Sequence, residues 1–377
     1  MRYFSGLTTT QFALFVALAA VLLVLYPSLL TAASSAIGIG ALSRNLISRF
    51  RNYSTNTTTL SPAIPTMAAS SNIDFLQSLK DLPATPERIP VFFFAHGSPI
   101  LAFPPHMAAG MGDMAAYQGS TGVLSDFLKA FGSTLLEKYN PKGIVVFSAH
   151  WETHGTRLVS DYKENPLLMD YFGFPPELYQ LKFKSKGDSK LAQRVVDLYK
   201  ENGLKARLTD EKEARGEDGR GFEGPGLDHG VFVPFRIMFG EEFTSIPIVQ
   251  VSIDSSLDPE KNWQAGKAVA KLREEGILVL SGGLTAHNLR DRSSFSPATA
   301  KPIHKEFDSA LHQAVSVEDA ALRKKAMCEL PRHPGFRASH PREDHFVPLY
   351  VAAGAGEGGE VRTVMNHYGI PTFAFGL

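Results

Sequence analysis

Short apolar runs, each cut off by a cluster of turn-forming residues, recur from about residue 88 onward. Ile89–Ala95, Ile144–Phe147, Ile246–Ile253 and Ile277–Leu280 are almost continuously aliphatic or aromatic. That pattern marks strands buried on both faces. Between them the apolar period changes. Leu124, Phe127, Leu128, Phe131, Leu135 and Leu136 fall at helical spacing, and Asn140-Pro141-Lys142-Gly143 closes the run. Helices are also predicted over Lys190–Asn202, Pro259–Glu275 and Lys301–Leu330 (one or two), and from Glu343 to Ala353. Arg157–Ser160 and Thr372–Phe375 read as short strands. A strand, a helix and a second strand in succession imply a parallel pair with a right-handed crossover. The predicted fold is α/β: one domain with a central, largely parallel or mixed sheet flanked by helices, over residues 73–377.

Residues 1–72 stand outside this pattern and read as an apolar targeting or anchor segment followed by a linker. Phe12–Leu30 is apolar and uncharged, long enough to span a bilayer. Arginines follow it, at Arg44, Arg49 and Arg51, which would face the folded body to the cytosol. Thr31-Ala32-Ala33 also suits a cleaved signal, and the absence of acids before Asp74 suits a transit peptide. The expectation is a membrane-associated protein anchored through residues 12–30, or a cytosolic or organellar one after processing. Ser54–Asn72 is polar, with two prolines, as linkers are.

Charge and cysteine content narrow the chemistry. Lysine plus arginine equals aspartate plus glutamate at 38 each, so no basic excess argues for a nucleic-acid partner. Cys328 is the single cysteine, which excludes an intrachain disulfide and a cysteine-based zinc site. A metal site here has to use histidine and carboxylate.

Twelve histidines are present, and four share a setting. His96 and His150 follow the first two long strand runs, and His287 lies in the turn after Ile277–Leu280. His229 closes a glycine-rich loop. Ligands of open α/β sheets bind beyond the C-terminal strand ends, where such residues converge. Neutral imidazole binds iron, zinc and copper, and three protein ligands with open positions define a catalytic metal site. Glu152, Asp228 and Asn288 are candidates to orient the ligating rings through their free nitrogens. His106, His154, His304, His312 and His367 read as ordinary packed or surface residues.

His96-Gly97-Ser98-Pro99, Ser148-Ala149-His150-Trp151-Glu152, Tyr171-Phe172-Gly173-Phe174-Pro175, Asp228-His229-Gly230, Val249-Gln250-Val251-Ser252-Ile253, His287-Asn288-Leu289 and His345-Phe346-Val347-Pro348-Leu349 occur in this order. The set resembles the class III extradiol ring-cleavage dioxygenases, in the DOPA 4,5-dioxygenase branch of the LigB-type superfamily, from about residue 88 to the C-terminus. The resemblance implies one non-haem divalent metal, Fe(II) or Zn(II), with His96, His150 and His287 as ligands. His229 takes the acid–base role and lies close enough to coordinate as well. It implies a catechol such as DOPA and O2 as substrates, opened to a muconic semialdehyde. His345 is a candidate for binding the catechol, and Trp151, Tyr171, Phe172 and Phe174 are candidate walls. The wider superfamily places two histidines and a glutamate on Fe(II); no glutamate stands in that position here, and His287 takes it. Two alternatives remain at this level: a zinc hydrolase on the same scaffold, and a non-catalytic, membrane-tethered metal-binding protein.

Overall fold

The computed structural model describes residues 75–84, 87–108, 111–213, 222 and 224–377. The apolar segment Phe12–Leu30, the linker, the boundary at residue 72 and part of the Glu211–Gly226 loop lie outside these residues. Among the described residues no helix is long and apolar enough to cross a membrane.

Eight strands form one mixed sheet in the order β5-β3-β7-β2-β8-β1-β10-β9. They are β1 (Val91–Ala95), β2 (Gly143–Thr153), β3 (Arg157–Ser160), β5 (Ala206–Thr209), β7 (Ile248–Asp254), β8 (Ile277–Gly283), β9 (Val361–Met365) and β10 (Thr372–Phe375). The central four, β7-β2-β8-β1, run parallel. Antiparallel pairings appear only outward of them, at β3–β7, β1–β10 and β10–β9. A separate two-stranded pair joins β4 (Lys184–Ser185) to β6 (Glu242–Phe243). This is the α/β domain the periodicity predicts.

The continuous apolar runs have a direct physical cause. Alternate residues of each central strand enter different cores. Phe93, Val145, Phe147, Val249, Val251 and Val279 pack against helices Ser189–Glu201, Pro259–Ala268, Pro302–Val315 and Pro348–Ala355. Phe92, Phe94, Ile144, Val146, Ile248, Leu278 and Leu280 pack on the other face against helices Val123–Tyr139 and His229–Phe239. Each large apolar side chain so buried contributes about 1.5–3 kcal/mol.

Several predicted boundaries move. β2 does not stop at Ser148 but continues to Thr153. Its pairing with β7 slips on the way: Phe147 is opposite Val251, yet Glu152 is opposite Ile253. Ser148-Ala149-His150-Trp151 therefore bulges out while Ser252 alone spans the gap on β7. Bulges of this kind re-aim side chains beside functional sites. The predicted helix from Pro259 to Glu275 ends at Ala268 and tightens into a 3-10 turn, Ala270–Arg273. The helix expected from Glu343 begins only at Pro348, where the missing amide hydrogen costs nothing at a first helical position.

Candidate metal and catalytic site

Three segments reach one end of the sheet with their histidines. The His96 amide donates to the Gly283 carbonyl (3.1 Å), tying the exit of β1 to the end of β8. Gly97 then turns the chain at φ +70°, a left-handed conformation glycine adopts freely. A Cβ at Gly97 would also stand 2.4 Å from Leu101 Cδ1. His150 sits in the β2 bulge. The third segment, carrying His345, lies across the end of β8: Leu284 N donates to His345 O (2.8 Å). Gly283 permits that approach, since a Cβ there would be 2.5 Å from the His345 carbonyl oxygen.

The three imidazoles meet. His150 Nε2 is 2.9 Å from His345 Nε2. Ring centroids of His96 lie 4.9 Å from His150 and 5.3 Å from His345. One nitrogen from each ring falls within 4.8 Å of the others, a donor set able to hold a metal ion. Neither His96 nitrogen has a hydrogen-bond partner among the described residues, although the ring is buried. A buried imidazole with two unanswered nitrogens is costly unless one of them binds something. Burial, and then the neighbouring histidines His150, His229 and His287, hold His96 well below the usual histidine range. It is therefore neutral, as a ligand must be. His287 is likewise held low by burial and then by His345.

Beside this trio stands a second pair. His229 is the first residue of its helix, and its ring centroid is 4.0 Å from that of His150. Asp170 Oδ1 lies 2.8 Å from His229 Nδ1 and also accepts the His229 backbone N–H at 2.8 Å. Its other oxygen is 3.3 Å from His150 Nδ1. Burial opposes a charge on Asp170, but His229 and His150 outweigh it and hold the carboxyl well below its usual range. A carboxylate bridging two histidines fixes both rings and their tautomers.

The structure redistributes several expected roles. His345, read from sequence as a substrate contact, comes to His96 and His150; His287, expected as the third ligand, stacks on His345 with centroids 3.5 Å apart and forms with His345 and Asp344 a further group able to hold a metal ion. Asp344, immediately before His345, lies 3.0 Å from His345 Nδ1. Asp228 backs His150: it lies 3.6 Å from His150 Nδ1 and accepts from Ser148 Oγ (2.7 Å) and Gln250 Nε2 (2.5 Å). Glu152 is held on both oxygens by Arg342, each at 2.6 Å. Asn288 shapes a turn instead of orienting a ring, accepting from Arg290 N and Asp291 N and donating to Ala338 O. Asp170 was not singled out from sequence. Its one signal is its place directly before the Tyr171-Phe172-Gly173-Phe174 run.

A cavity of about 660 Å³ opens onto the histidines. Tyr171 and Phe174 line it; the Tyr171 hydroxyl donates to Leu178 O and its ring meets His229 edge-on at 5.6 Å. Phe172 stands at the rim, 81% exposed, stacked on Phe222. Trp151 is no wall of this cavity. It is 1% exposed and absent from the lining, because the residue after His150 on an extended strand points to the opposite face.

Residues 91–377 match the family described as the catalytic LigB subunit of aromatic ring-opening dioxygenase. A Schizosaccharomyces pombe protein named 4,5-DOPA dioxygenase extradiol-like protein is 40% identical over 82% of this chain and 99% of its own length. The Beta vulgaris protein named 4,5-DOPA dioxygenase extradiol is 32% identical over 74% of this chain and 91% of its own. An Escherichia coli K12 protein of the same name is 30% identical, over 76% and 92% respectively. A crystal structure of an uncharacterised Escherichia coli K12 protein superposes with a TM-score of 0.53 at 23% identity, covering 77% of this chain and all of that one; at this identity it speaks for the fold alone.

Proposed function

The chain belongs to the LigB family of class III extradiol aromatic ring-opening dioxygenases, and from that premise we propose that it cleaves the ring of a catechol such as DOPA beside the diol. The product is a muconic semialdehyde. The metal is Fe(II), held by His96, His150 and His345, with His287 stacked against the last. The observation that carries this reading is the meeting of three buried imidazoles beside a His229 ring that Asp170 holds while also reaching His150.

When bound, the metal lowers the pKa of a coordinated catechol hydroxyl and, as Fe(II), supplies the redox capacity that O2 chemistry needs. The chain's own residues do the rest. His229 Nδ1–H donates to the Asp170 carboxylate, which leaves His229 Nε2 unprotonated and able to take the second hydroxyl proton. The same nitrogen, once protonated, returns that proton as the ring opens. Tyr171 and Phe174 hold the aromatic plane and keep bulk water from the reacting carbons. Asp228 and Asp170 together fix the His150 ring from its Nδ1 side.

The test uses the full-length chain, stripped of metal and reconstituted anaerobically with Fe(II) or, in parallel, Zn(II). Oxygen uptake and formation of a yellow semialdehyde are followed with L-DOPA and simple catechols. Stoichiometric uptake with Fe(II) and none with Zn(II) is expected. Absence of uptake at full Fe(II) occupancy with every catechol overturns the proposal.

A further inference from the structure

We propose that Gln118 and Arg292 form the end of the cavity that selects the substrate's ring substituent, and that they read a carboxylate while leaving an amino group unread. This rests on the ring-cleavage reading above and goes further, to the class of catechol: catecholic acids, with or without an α-amino group.

The cavity is far larger than a dihydroxyphenyl ring needs, so a substituent has room beyond the histidines. Gln118 lines it while only 3% exposed. Its carboxamide makes no hydrogen bond to any described residue. The amide stands on the cavity wall, where a ligand's oxygen can accept from it. Arg292 lines the same cavity from an exposed position at its mouth. Its guanidinium has no carboxylate partner among the described residues.

The two belong to one wall. Ser296 Oγ donates to Asp113 Oδ2 at 3.0 Å, pinning the Asp113–Gln118 helix to the turn Arg292–Phe295. Met114 and Phe295 line the cavity from these same elements. An amide donor and a free guanidinium on an otherwise apolar wall suit a carboxylate, which accepts from both.

Among the described residues the lining offers nothing comparable to an ammonium group. Asp170 and Asp344 are its carboxylates among the described residues. Asp170 is engaged by His229 at 2.8 Å, and Asp344 by His345 at 3.0 Å and Arg342 at 3.5 Å. An amine beside Arg292 meets like charge instead. Selection therefore turns on the acid.

The experiment has two arms on the full-length protein. In the first, the Fe(II) enzyme is assayed by oxygen uptake with 3-(3,4-dihydroxyphenyl)propionate, L-DOPA, dopamine and 4-methylcatechol. The two acids are expected within about threefold of each other in kcat/KM and about tenfold or more above dopamine, a factor of ten corresponding to one charge-assisted contact. Arg292→Leu brings the acids down toward the level of 4-methylcatechol through KM, lowers the acids about tenfold more than it lowers 4-methylcatechol, and Arg292→Lys restores part of the difference. Gln118→Leu acts in the same direction on the acids. The preference for acids narrows with added salt, since Arg292 is exposed.

The second arm needs no turnover. Calorimetric binding of 3-phenylpropionate and of phenethylamine, which lack the diol, is compared between wild type and Arg292→Leu. Binding of the acid alone, lost in the variant, supports the inference even if no catechol is consumed, in which case only the ring-cleavage reading falls. Three results overturn the inference: L-DOPA preferred tenfold over the propionate, dopamine equal to the acids, or phenylpropionate binding that ignores Arg292.

Discussion

His150 Nε2 stands 2.9 Å from His345 Nε2, although the two residues are 195 positions apart in the chain. Two neutral imidazoles can share one proton at that distance, but His96 completes a set of nitrogens that no single proton satisfies. The arrangement distinguishes His345 from His287. We expect His345→Ala and His96→Ala to lose bound metal by more than about 100-fold in affinity, beyond the range for residues that merely support ligands. His287→Ala should retain metal more fully. Metal content after dialysis against a graded chelator checks this; equal loss in His287→Ala would place that ring in the ligand set as well.

Asp170 joins the metal-side histidine to the proton-handling one. Asp170→Asn keeps the shape and removes the charge. An amide in that place can present its N–H to His229 Nδ1, which reverses the tautomer and leaves Nε2 protonated. The expected result is a kcat about 10–100-fold lower with KM for the catechol little changed. Metal content should stay near that of wild type. A purely structural role would instead lower thermal stability and metal content together.

Much of this site is legible in the sequence, and the exceptions have physical reasons. His96, His150 and His229 announce themselves because an apolar run or a glycine-rich loop ends shortly before each. The bulge at Ser148–Trp151 is not legible, because an extra stretch in a parallel ladder leaves no mark in hydrophobic periodicity. It is what turns Trp151 away from the cavity while aiming His150 at it. The approach of His345 to His96 and His150 depends on how a loop crosses the end of β8, a contact between residues 61 positions apart. β5 and β9 escape prediction because they are edge strands. Arg207 and Arg362 sit within them, and charged edge residues that prevent unwanted pairing also hide the strand pattern. Asp170 is hidden for another reason: one acid before an aromatic loop looks like ordinary turn polarity.

Glu152 lies in the β2 bulge region, nearly fully buried, and its carboxylate is gripped on both oxygens by Arg342. Bidentate geometry is among the strongest forms of ion pair. Arg342 is partly solvated, with 42% of its side chain exposed, so screening moderates the attraction. Arg342→Ala removes the bidentate partner of a buried carboxylate, and the expected loss is about 1–3 kcal/mol. Arg342→Lys should recover only part, because an ammonium cannot span both oxygens. Chemical denaturation of the three proteins measures this. An unchanged midpoint in Arg342→Ala would show that Glu152 draws its stabilisation from elsewhere.

His312 supplies a pH prediction away from the metal. Its Nε2 is buried without a hydrogen-bond partner among the described residues, and its ring packs edge-on to Phe373 at 5.5 Å. Burial lowers its pKa to about 4 from the usual 6.5. The unfolded chain therefore binds a proton between pH 6.5 and 4 that the folded chain refuses. Stability from this residue is complete above about pH 6.5 and is lost as pH falls toward 4. The full effect is on the order of 3 kcal/mol at the acid end. His312→Leu keeps an apolar group against Phe373 and removes the titration. Its unfolding free energy should fall less steeply than that of wild type between pH 6.5 and 4, with the two curves running parallel above pH 7. Thermal or urea melts across that range decide it, and identical slopes in the two proteins would assign the acid sensitivity to other groups.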